Sequence, residues 1–266
     1  MGTTRLILLL FIILLISLIL LPLQLISNFF RIKLKYYIPQ FFLKIINYFI
    51  GIKINLINKE KTLKKSVGTL YIANHVSWLD ILCLGSLINA RFVAKDEVKS
   101  MGAFGILSKL NNTFFIDSAN QRKSFLYNDV IKEKLKKKEN IILFPEGTTS
   151  DGNGVKIFKS SLFESTKITF KDKWRDEELY ANVQPISICY KLKNNLPMGV
   201  FYRRYIAWVG DIPLIHLMKL FLSTGPVSVD IIFHNQISLD QFENRKKLSS
   251  YCQNLIHQGI TRELMV

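Results

Sequence analysis

The chain has 266 residues, enough for one sizeable α/β domain with a short appendage and too few for two full catalytic domains. A hydrophobic content of 49% and a positive mean hydropathy stand beside a net charge of +16 and a pI near 9.7, so greasy and basic segments coexist, a combination that suits a membrane surface. Cys83, Cys189 and Cys252 are scattered and form no C-x-x-C, which argues for a reduced, cytosol-facing domain, and no zinc-finger spacing, RRM-type signature or basic run ahead of a leucine heptad points to nucleic acid.

From Leu6 to Leu23 the sequence is apolar apart from Ser17, and as a helix this run is about 27 Å long, enough to cross a bilayer core. It exceeds the apolar region of a usual signal peptide, only Arg5 precedes it, and no A-x-A-like site follows. Arg31, Lys33, Lys35 and Lys44 come next, and positive charge on that flank places it and the rest of the chain on the cytoplasmic side, at the inner membrane. Aromatic residues mixed with Lys44 predict a helix from about Pro39 to Ile50, with Pro39 in its first turn; it either lies in the headgroup plane or packs on the domain as an entry helix. Residues 1–50 therefore read as a membrane anchor with an interfacial helix, and residues 51–266 as one domain.

Beyond Gly51, apolar strands are expected at Thr69–Ala73, Ala90–Ala94, Thr113–Ile116, Asn140–Phe144, Val183–Tyr190 and Val227–Phe233. Helices are expected at Asp80–Ile88, Gly102–Leu110, Arg122–Lys138 and Ser238–Ile256, the last opened by a capping box of Ser238 and Gln241. The alternation predicts an α/β layered domain with its function on loops at strand ends. Lys132, Lys134, Lys136, Lys137 and Lys138 fit the polar face and last turn of their helix, and Gly152 and Gly154 lie outside any dinucleotide fingerprint.

Chemistry concentrates in two segments. In the first, an apolar strand runs into a polar turn holding Asn74, His75, Ser77 and Asp80. An imidazole takes a proton from an attacking hydroxyl near neutral pH, and a carboxylate beside it fixes its tautomer and stabilises the imidazolium. A nucleophilic side chain is dispensable when the acyl group arrives as a thioester, because that group is already activated and a second substrate's hydroxyl attacks it directly. On spacing alone His75 also fits a buried or helix-capping imidazole. In the second segment a buried-type strand ends at Pro145, Glu146 and Gly147; Gly147 permits close backbone approach, and Thr148, Thr149 and Ser150 offer donors suited to phosphate or glycerol oxygens, or simply a capped tight turn.

Together the two segments resemble the glycerolipid acyltransferase family. Its first block, N-H-x-x-x-x-D, matches Asn74, His75 and Asp80, and its third, F-P-E-G-T, matches Phe144, Pro145, Glu146, Gly147 and Thr148. The second block looks like Phe114 to Asp117 and the fourth like Val183 to Ile186, so the resemblance runs from about Gly68 to Tyr190. It implies a mixed sheet flanked by helices, and transfer of a fatty acyl group from acyl carrier protein or coenzyme A to a lysolipid hydroxyl without a metal or redox cofactor. His75 would be the base and Asp80 its orienter, with Asn74, Ser77, Glu146, Gly147, Thr148 and Lys159 on the substrate side. The arginine that closes the second block is Ser118 here, with Arg122 four residues later as a candidate substitute. A glycine usual after the third block is Ser161, while Lys159 matches.

The resemblance implies 1-acyl-sn-glycerol-3-phosphate as acceptor and phosphatidic acid as product, with a lyso-ornithine lipid as the alternative acceptor. The run Trp208 to Asp211 with His216 is similar to a stretch in the enzymes that use that second acceptor, although a capped helix start with an interfacial histidine explains it equally. A hydrolase is disfavoured because no G-x-S-x-G elbow exposes a serine, which would leave Ser77 as nucleophile. A non-catalytic lipid-binding module is disfavoured by the intact Asn74, His75, Asp80, Glu146 and Gly147.

Overall fold

The structure, a computed structural model, describes residues 2–30, 32–58, 67–110, 113–116, 124–171 and 176–265. Helix α1 (Gly2–Phe29) is longer than the apolar run alone suggests and carries Pro22 inside it. Its Leu6–Phe29 stretch is long and apolar enough to cross a membrane. Leu6, Leu9, Gln24 and Ser27 are buried on one edge, while Leu18 and Ile19 are about two-thirds exposed. Helix α2 (Tyr37–Ile50) runs back beside α1 and stops at Gly51, whose left-handed backbone (φ +81°) lets its N–H bond the carbonyls of Asn47 and Tyr48.

Helix α2 packs on the domain as an entry helix through one face and leaves aromatic residues exposed on the other. Ile38, Ile46, Asn47 and Ile50 are buried, and Asn47 Nδ2 donates to the Leu82 carbonyl and Ser86 Oγ, each at 3.0 Å. Phe41, Tyr48 and Phe49 are exposed on the other side. Ile46 and Ile50 share one core with Leu6, Leu9 and the sheet residues Ile186 and Ile188, so α1 and α2 are joined to the domain through these residues.

Strands β1 (Ile52–Ile57), β2 (Thr69–Ala73), β3 (Arg91–Lys95), β4 (Phe114–Ile116), β5 (Ile141–Leu143), β8 (Asn182–Lys193), β9 (Leu196–Pro197) and β10 (Val227–Phe233) form one mixed sheet. Its order is β1-β10-β8-β2-β5-β3-β4, with β9 hairpinned onto β8. The pairs from β8 to β4 are parallel, β10 is antiparallel to β8, and β1 is parallel to β10. Strand β8 is buried at nine successive residues, Asn182 to Tyr190, as a strand covered on both faces must be. A separate hairpin pairs β6 (Lys167–Lys171) with β7 (Asp176–Tyr180).

The helices are α3 (Leu79–Leu87), α4 (Ala103–Leu110), α5 (Ser124–Lys136), the single turn α6 (Val200–Arg203), α7 (Leu214–Thr224) and α8 (Arg245–Leu264). Cores lie on both faces of the sheet: α1, α2, α3 and α7 contribute to one, and α5 and α8 to the other. The expected α/β class and mixed sheet flanked by helices are observed. Strands β1, β6, β7 and β9 and helix α6 were not anticipated. The helix expected from Ser238 is a correction: the Ser238–Gln241 capping box closes only the 3-10 turn Leu239–Gln241, Phe242 is extended, and α8 begins at Arg245. Asn244 is the effective cap, its Oδ1 accepting the N–H groups of Lys246 and Lys247 at 2.9 and 3.1 Å.

Candidate active site

Register fixes the position of the site. Leu70 and Ile72 of β2 pair in parallel with Ile141 and Leu143 of β5, and Ile72 pairs on its other side with Pro185 of β8. Parallel neighbours end at the same sheet edge, so the turns after β2 and β5 emerge side by side, as at the carboxyl ends of strands in open α/β sheets. Two bonds join them: the N–H of Ser150 donates to the His75 carbonyl at 2.7 Å, and the N–H of His75 donates to Glu146 Oε1 at 2.7 Å.

His75 Nδ1 lies 2.7 Å from Asp80 Oδ2. The same oxygen accepts the N–H groups of Val76 at 2.6 Å and Ser77 at 2.8 Å, and Oδ1 accepts the hydroxyl of Tyr190 at 2.6 Å. Four donors thus converge on a carboxylate with no solvent exposure, at the first turn of α3, where the helix dipole favours negative charge. With Nδ1 facing an acceptor the ring proton sits there, and Nε2, which has no hydrogen-bond partner among the described residues, presents its lone pair. The imidazole retains 19% exposure and stacks on Phe144, with centroids 4.1 Å apart and planes within 11°. One face of the base is thereby held by the residue that opens the second turn.

Glu146 is buried, and both its oxygens accept backbone N–H groups, Oε1 from His75 and Oε2 from Lys156 at 2.9 Å. Burial pushes its carboxyl up to about 7, and the two amides and the nearby His75 pull in the opposite direction. Gly147 adopts φ +70°, and a Cβ there would lie 2.6 Å from Lys159 Nζ, so the lysine amine rests against the open glycine backbone. Thr148 and Lys159 are exposed, on the solvent side of the turn. Lys159 is placed by its own N–H, which donates to the Pro145 carbonyl at 2.9 Å.

Asn74, His75, Ser77, Asp80, Glu146, Gly147 and Lys159 are therefore brought together, and of these Asn74, Ser77, Asp80 and Glu146 are buried. Asn74 is fully buried, donating to the Ile188 carbonyl at 3.0 Å and accepting the Ile188 N–H at 2.8 Å, which pins the turn to β8. Ser77 is fully buried and Glu146 nearly so, and the polar atoms of Asn74 and Glu146 bond protein backbone groups. Ser118 and Arg122 lie outside the described residues. Trp78 is buried edge-on to Phe221, with centroids 6.1 Å apart, and Phe114 is half-buried beneath the Arg91 and Lys134 cations. Asp211 and His216 are exposed, and α7 starts at Pro213 with no side-chain cap, so the expected capping by Asp211 is not observed.

Tyr190 and Phe144 were absent from the expected contacts around the pair. Tyr190 stands 110 residues from Asp80, a separation no local spacing reveals, and burial beside the Asp80 charge drives its hydroxyl well above the ordinary range. Trp208 supports the site from outside: its N–H donates to the Val76 carbonyl at 2.9 Å, and its carbonyl accepts the Thr149 hydroxyl. Among the described residues no three His, Cys, Asp or Glu side chains gather as a metal-binding group. What the arrangement can do is take a proton at His75 Nε2 and hold the resulting imidazolium against Asp80.

Residues 53–188 match the family described as acyltransferase. The lyso-ornithine lipid O-acyltransferase of Rhizobium meliloti (strain 1021) is 33% identical over 249 residues, covering 94% of this chain and 82% of that protein. The 1-acyl-sn-glycerol-3-phosphate acyltransferase of Neisseria gonorrhoeae is 39% identical over 98 residues, covering 37% of this chain and 38% of that protein. Among solved structures, the 1-acyl-sn-glycerophosphate (LPA) acyltransferase PlsC from Thermotoga maritima superimposes with a TM-score of 0.67 at 20% identity, covering 98% of this chain and 97% of that one, which establishes a common fold.

Proposed function

This chain belongs to the acyltransferase family, and on that premise we propose that His75 and Asp80 catalyse transfer of a fatty acyl group from a thioester to the hydroxyl of a lysolipid at a membrane surface. The observation that carries this reading is the 2.7 Å contact between His75 Nδ1 and the buried Asp80 carboxylate, with Nε2 left to the partly exposed edge of the ring. The acceptor oxygen attacks the thioester carbonyl as Nε2 takes its proton. The carbon–sulfur bond then breaks, the acyl–oxygen ester remains, and the thiolate leaves with the proton returned by the imidazolium. Asp80 keeps Nδ1–H in place and offsets the charge that forms on the ring.

The thioester brings its own activation, and its carrier is acyl carrier protein or coenzyme A. A net charge of +16 favours encounter with an acidic carrier and with anionic lipid. Gly147, Thr148 and Lys159 are the groups open to the acceptor on the second turn, with Arg122 kept as a candidate from the sequence; Asn74, Ser77 and Glu146 position the turns. The apolar α1 and the basic residues that follow it support an inner-membrane location with the domain facing the cytoplasm, residues 1–50 serving as its anchor.

For the acceptor, similarity over nearly the whole chain to a lyso-ornithine lipid O-acyltransferase favours that lipid, together with serine at positions 118 and 161, where the lysophosphatidate pattern has arginine and glycine. The second reading is 1-acyl-sn-glycerol-3-phosphate, favoured by the higher identity to the Neisseria enzyme over the shorter aligned stretch. Purified full-length protein given acyl donor and each acceptor separately decides between them by mass spectrometry of the products. Turnover of lyso-ornithine lipid is expected. Turnover of lysophosphatidate alone installs the second reading, and turnover of neither acceptor nor any other lysolipid removes the enzymatic one.

A further inference from the structure

The segment between β8 and α7 carries an exposed apolar surface that the site does not use. Leu196, Val200, Phe201 and Tyr202 are each more than half exposed at the β9 turn and α6. Phe201, Tyr202 and Tyr205 form a ring cluster, with centroids about 6 Å apart in each pair. Arg204 lies 4.7 Å over Phe201, and Lys193 lies 5.5 Å over Tyr205. A soluble surface seldom presents aromatic and aliphatic side chains in this density, whereas aromatic rings with a cation on their faces suit the boundary between headgroups and acyl chains.

This lip is rigidly joined to the catalytic turns. Arg203, only 6% exposed, donates through Nε to Asn153 Oδ1 at 2.6 Å and through a terminal nitrogen to the Met198 carbonyl at 2.6 Å, tying α6 to the loop after Ser150. Trp208 then bonds both Val76 and Thr149. On its other side the lip runs through the exposed Ile212 and Ile215 into α7, whose Leu217, Met218, Phe221 and Leu222 share a core with Leu6 and Leu9 of α1. The lip is thus linked through α7 to the core that also holds α1. From Lys191 to Thr224 Arg203 is buried and Lys191 pairs with Glu263, which leaves Lys193, Arg204 and Lys219 against Asp211 as the one acid, a balance that complements anionic headgroups.

We propose that this Leu196–Tyr205 lip is a second membrane contact, separate from α1, that seats the mouth beside His75 on an anionic lipid surface so that the acceptor's hydroxyl reaches the base without leaving the bilayer boundary. The inference rests on the membrane-lipid acceptor reading. An acidic carrier protein is the competing occupant, but it accounts less well for the exposed aromatic cluster with cations on its faces, which suits the headgroup boundary.

The test uses the full chain in nanodiscs of phosphatidylcholine containing about one-third phosphatidylglycerol, a composition with a strongly anionic surface. The native cysteines are buried, so Val200→Cys accepts an environment-sensitive dye alone, and Ser250→Cys on α8, over the opposite face of the sheet, is the control. A blue shift and slowed iodide quenching at position 200 but not at position 250 are expected, weaker in pure phosphatidylcholine. Equal quenching at the two positions, or protection at 200 only when acidic carrier protein is added, overturns the proposal. To exclude insertion driven by the dye, unlabelled Phe201→Ser/Tyr202→Ser protein is assayed as well. Its transfer to vesicle-borne acceptor should fall severalfold while transfer to detergent-dispersed acceptor stays at wild type, and equal loss in both formats overturns the proposal. Shielding at position 200 is read without turnover, so an inactive wild type counts against the functional reading and not against this one.

Discussion

Tyr190, in the buried centre of the sheet, donates a 2.6 Å hydrogen bond to Asp80 Oδ1, the carboxylate oxygen opposite the one that faces His75. The proposed catalytic pair is thus extended into a chain of three side chains from β8, α3 and the turn after β2. Tyr190→Phe removes one oxygen and leaves the ring, so it tests orientation with little repacking. A fall in kcat of roughly tenfold with KM nearly unchanged is expected, and a stability loss of about 1.5–3 kcal/mol for a bond to a buried charged group. A raised KM with intact kcat would refute a role in aligning the base.

His75→Ala should lower kcat by at least about a hundredfold, the usual scale for a lost general base. The ring is 19% exposed and stacked on Phe144, so its removal leaves a shallow gap and the protein stays folded. Circular dichroism confirms the fold, and acyl transfer at saturating substrate gives the rate. Wild-type turnover by the folded variant would remove His75 from the mechanism.

Glu146 links stability to pH in a stated direction. Its folded carboxyl is raised to about 7 by burial, so between its unfolded value and about 7 the native state holds more protons than the unfolded state. Stability from this group is therefore fully present in acid and is lost as pH rises through about 7. Glu146→Gln cannot titrate, and the wild type's stability relative to it should decline across pH 5–8 by on the order of 1–3 kcal/mol. Denaturant unfolding at several pH values measures this; a constant difference across the range would show that Glu146 is ionised throughout.

Asn74→Ala leaves both the N–H and the carbonyl of Ile188 without their side-chain partner in a fully buried setting. A destabilisation of about 2–4 kcal/mol is expected, with reduced kcat because the turn that carries His75 loses its tie to β8. Thermal unfolding and activity are read on the same preparation. Unchanged stability would mean that the backbone bonds of β2 and β8 alone hold the turn.

Gly147→Ala forces a side chain onto a left-handed backbone and into the space beside Lys159 Nζ, 2.6 Å from the new Cβ. The backbone penalty is about 1 kcal/mol, and the lysine must swing away. If Lys159 faces the acceptor, Lys159→Ala and Gly147→Ala should both raise acceptor KM more than they lower kcat, and the double variant should be less than additive. Strict additivity in the kinetic cycle would separate the two residues.

Much of this arrangement was legible in the sequence because its decisive contacts are short-range. His75 and Asp80 are five residues apart, so a strand end followed by a helix start brings imidazole and carboxylate within reach of each other through local structure. The long apolar run of α1, the alternation of strands and helices and the sharp glycine turn after β5 are likewise local consequences of composition and backbone preference. By contrast, β1 escaped notice because its Lys53 and Asn55 interrupt the apolar run, and its strand state depends on pairing with β10 across 175 residues. The helix expected from Ser238 began later than a local capping signal implied, because Asn244 offered its two amides a better-placed acceptor.

By itself, then, the sequence determined a membrane-prone amino terminus, an α/β alternation and an imidazole and a carboxylate five residues apart at a strand end, all set by covalent spacing and local preference. Only the tertiary structure decided that Glu146 braces the His75 backbone, that Asn74 ties its turn to β8, that Tyr190 completes the grip on Asp80, and that an apolar lip borders the site. Those contacts join segments 71 to 114 residues apart along the chain, or arise from neighbours that register alone brings together. Sheet order, which depends on how all the strands share two buried faces at once, is what places β8, β2 and β5 side by side.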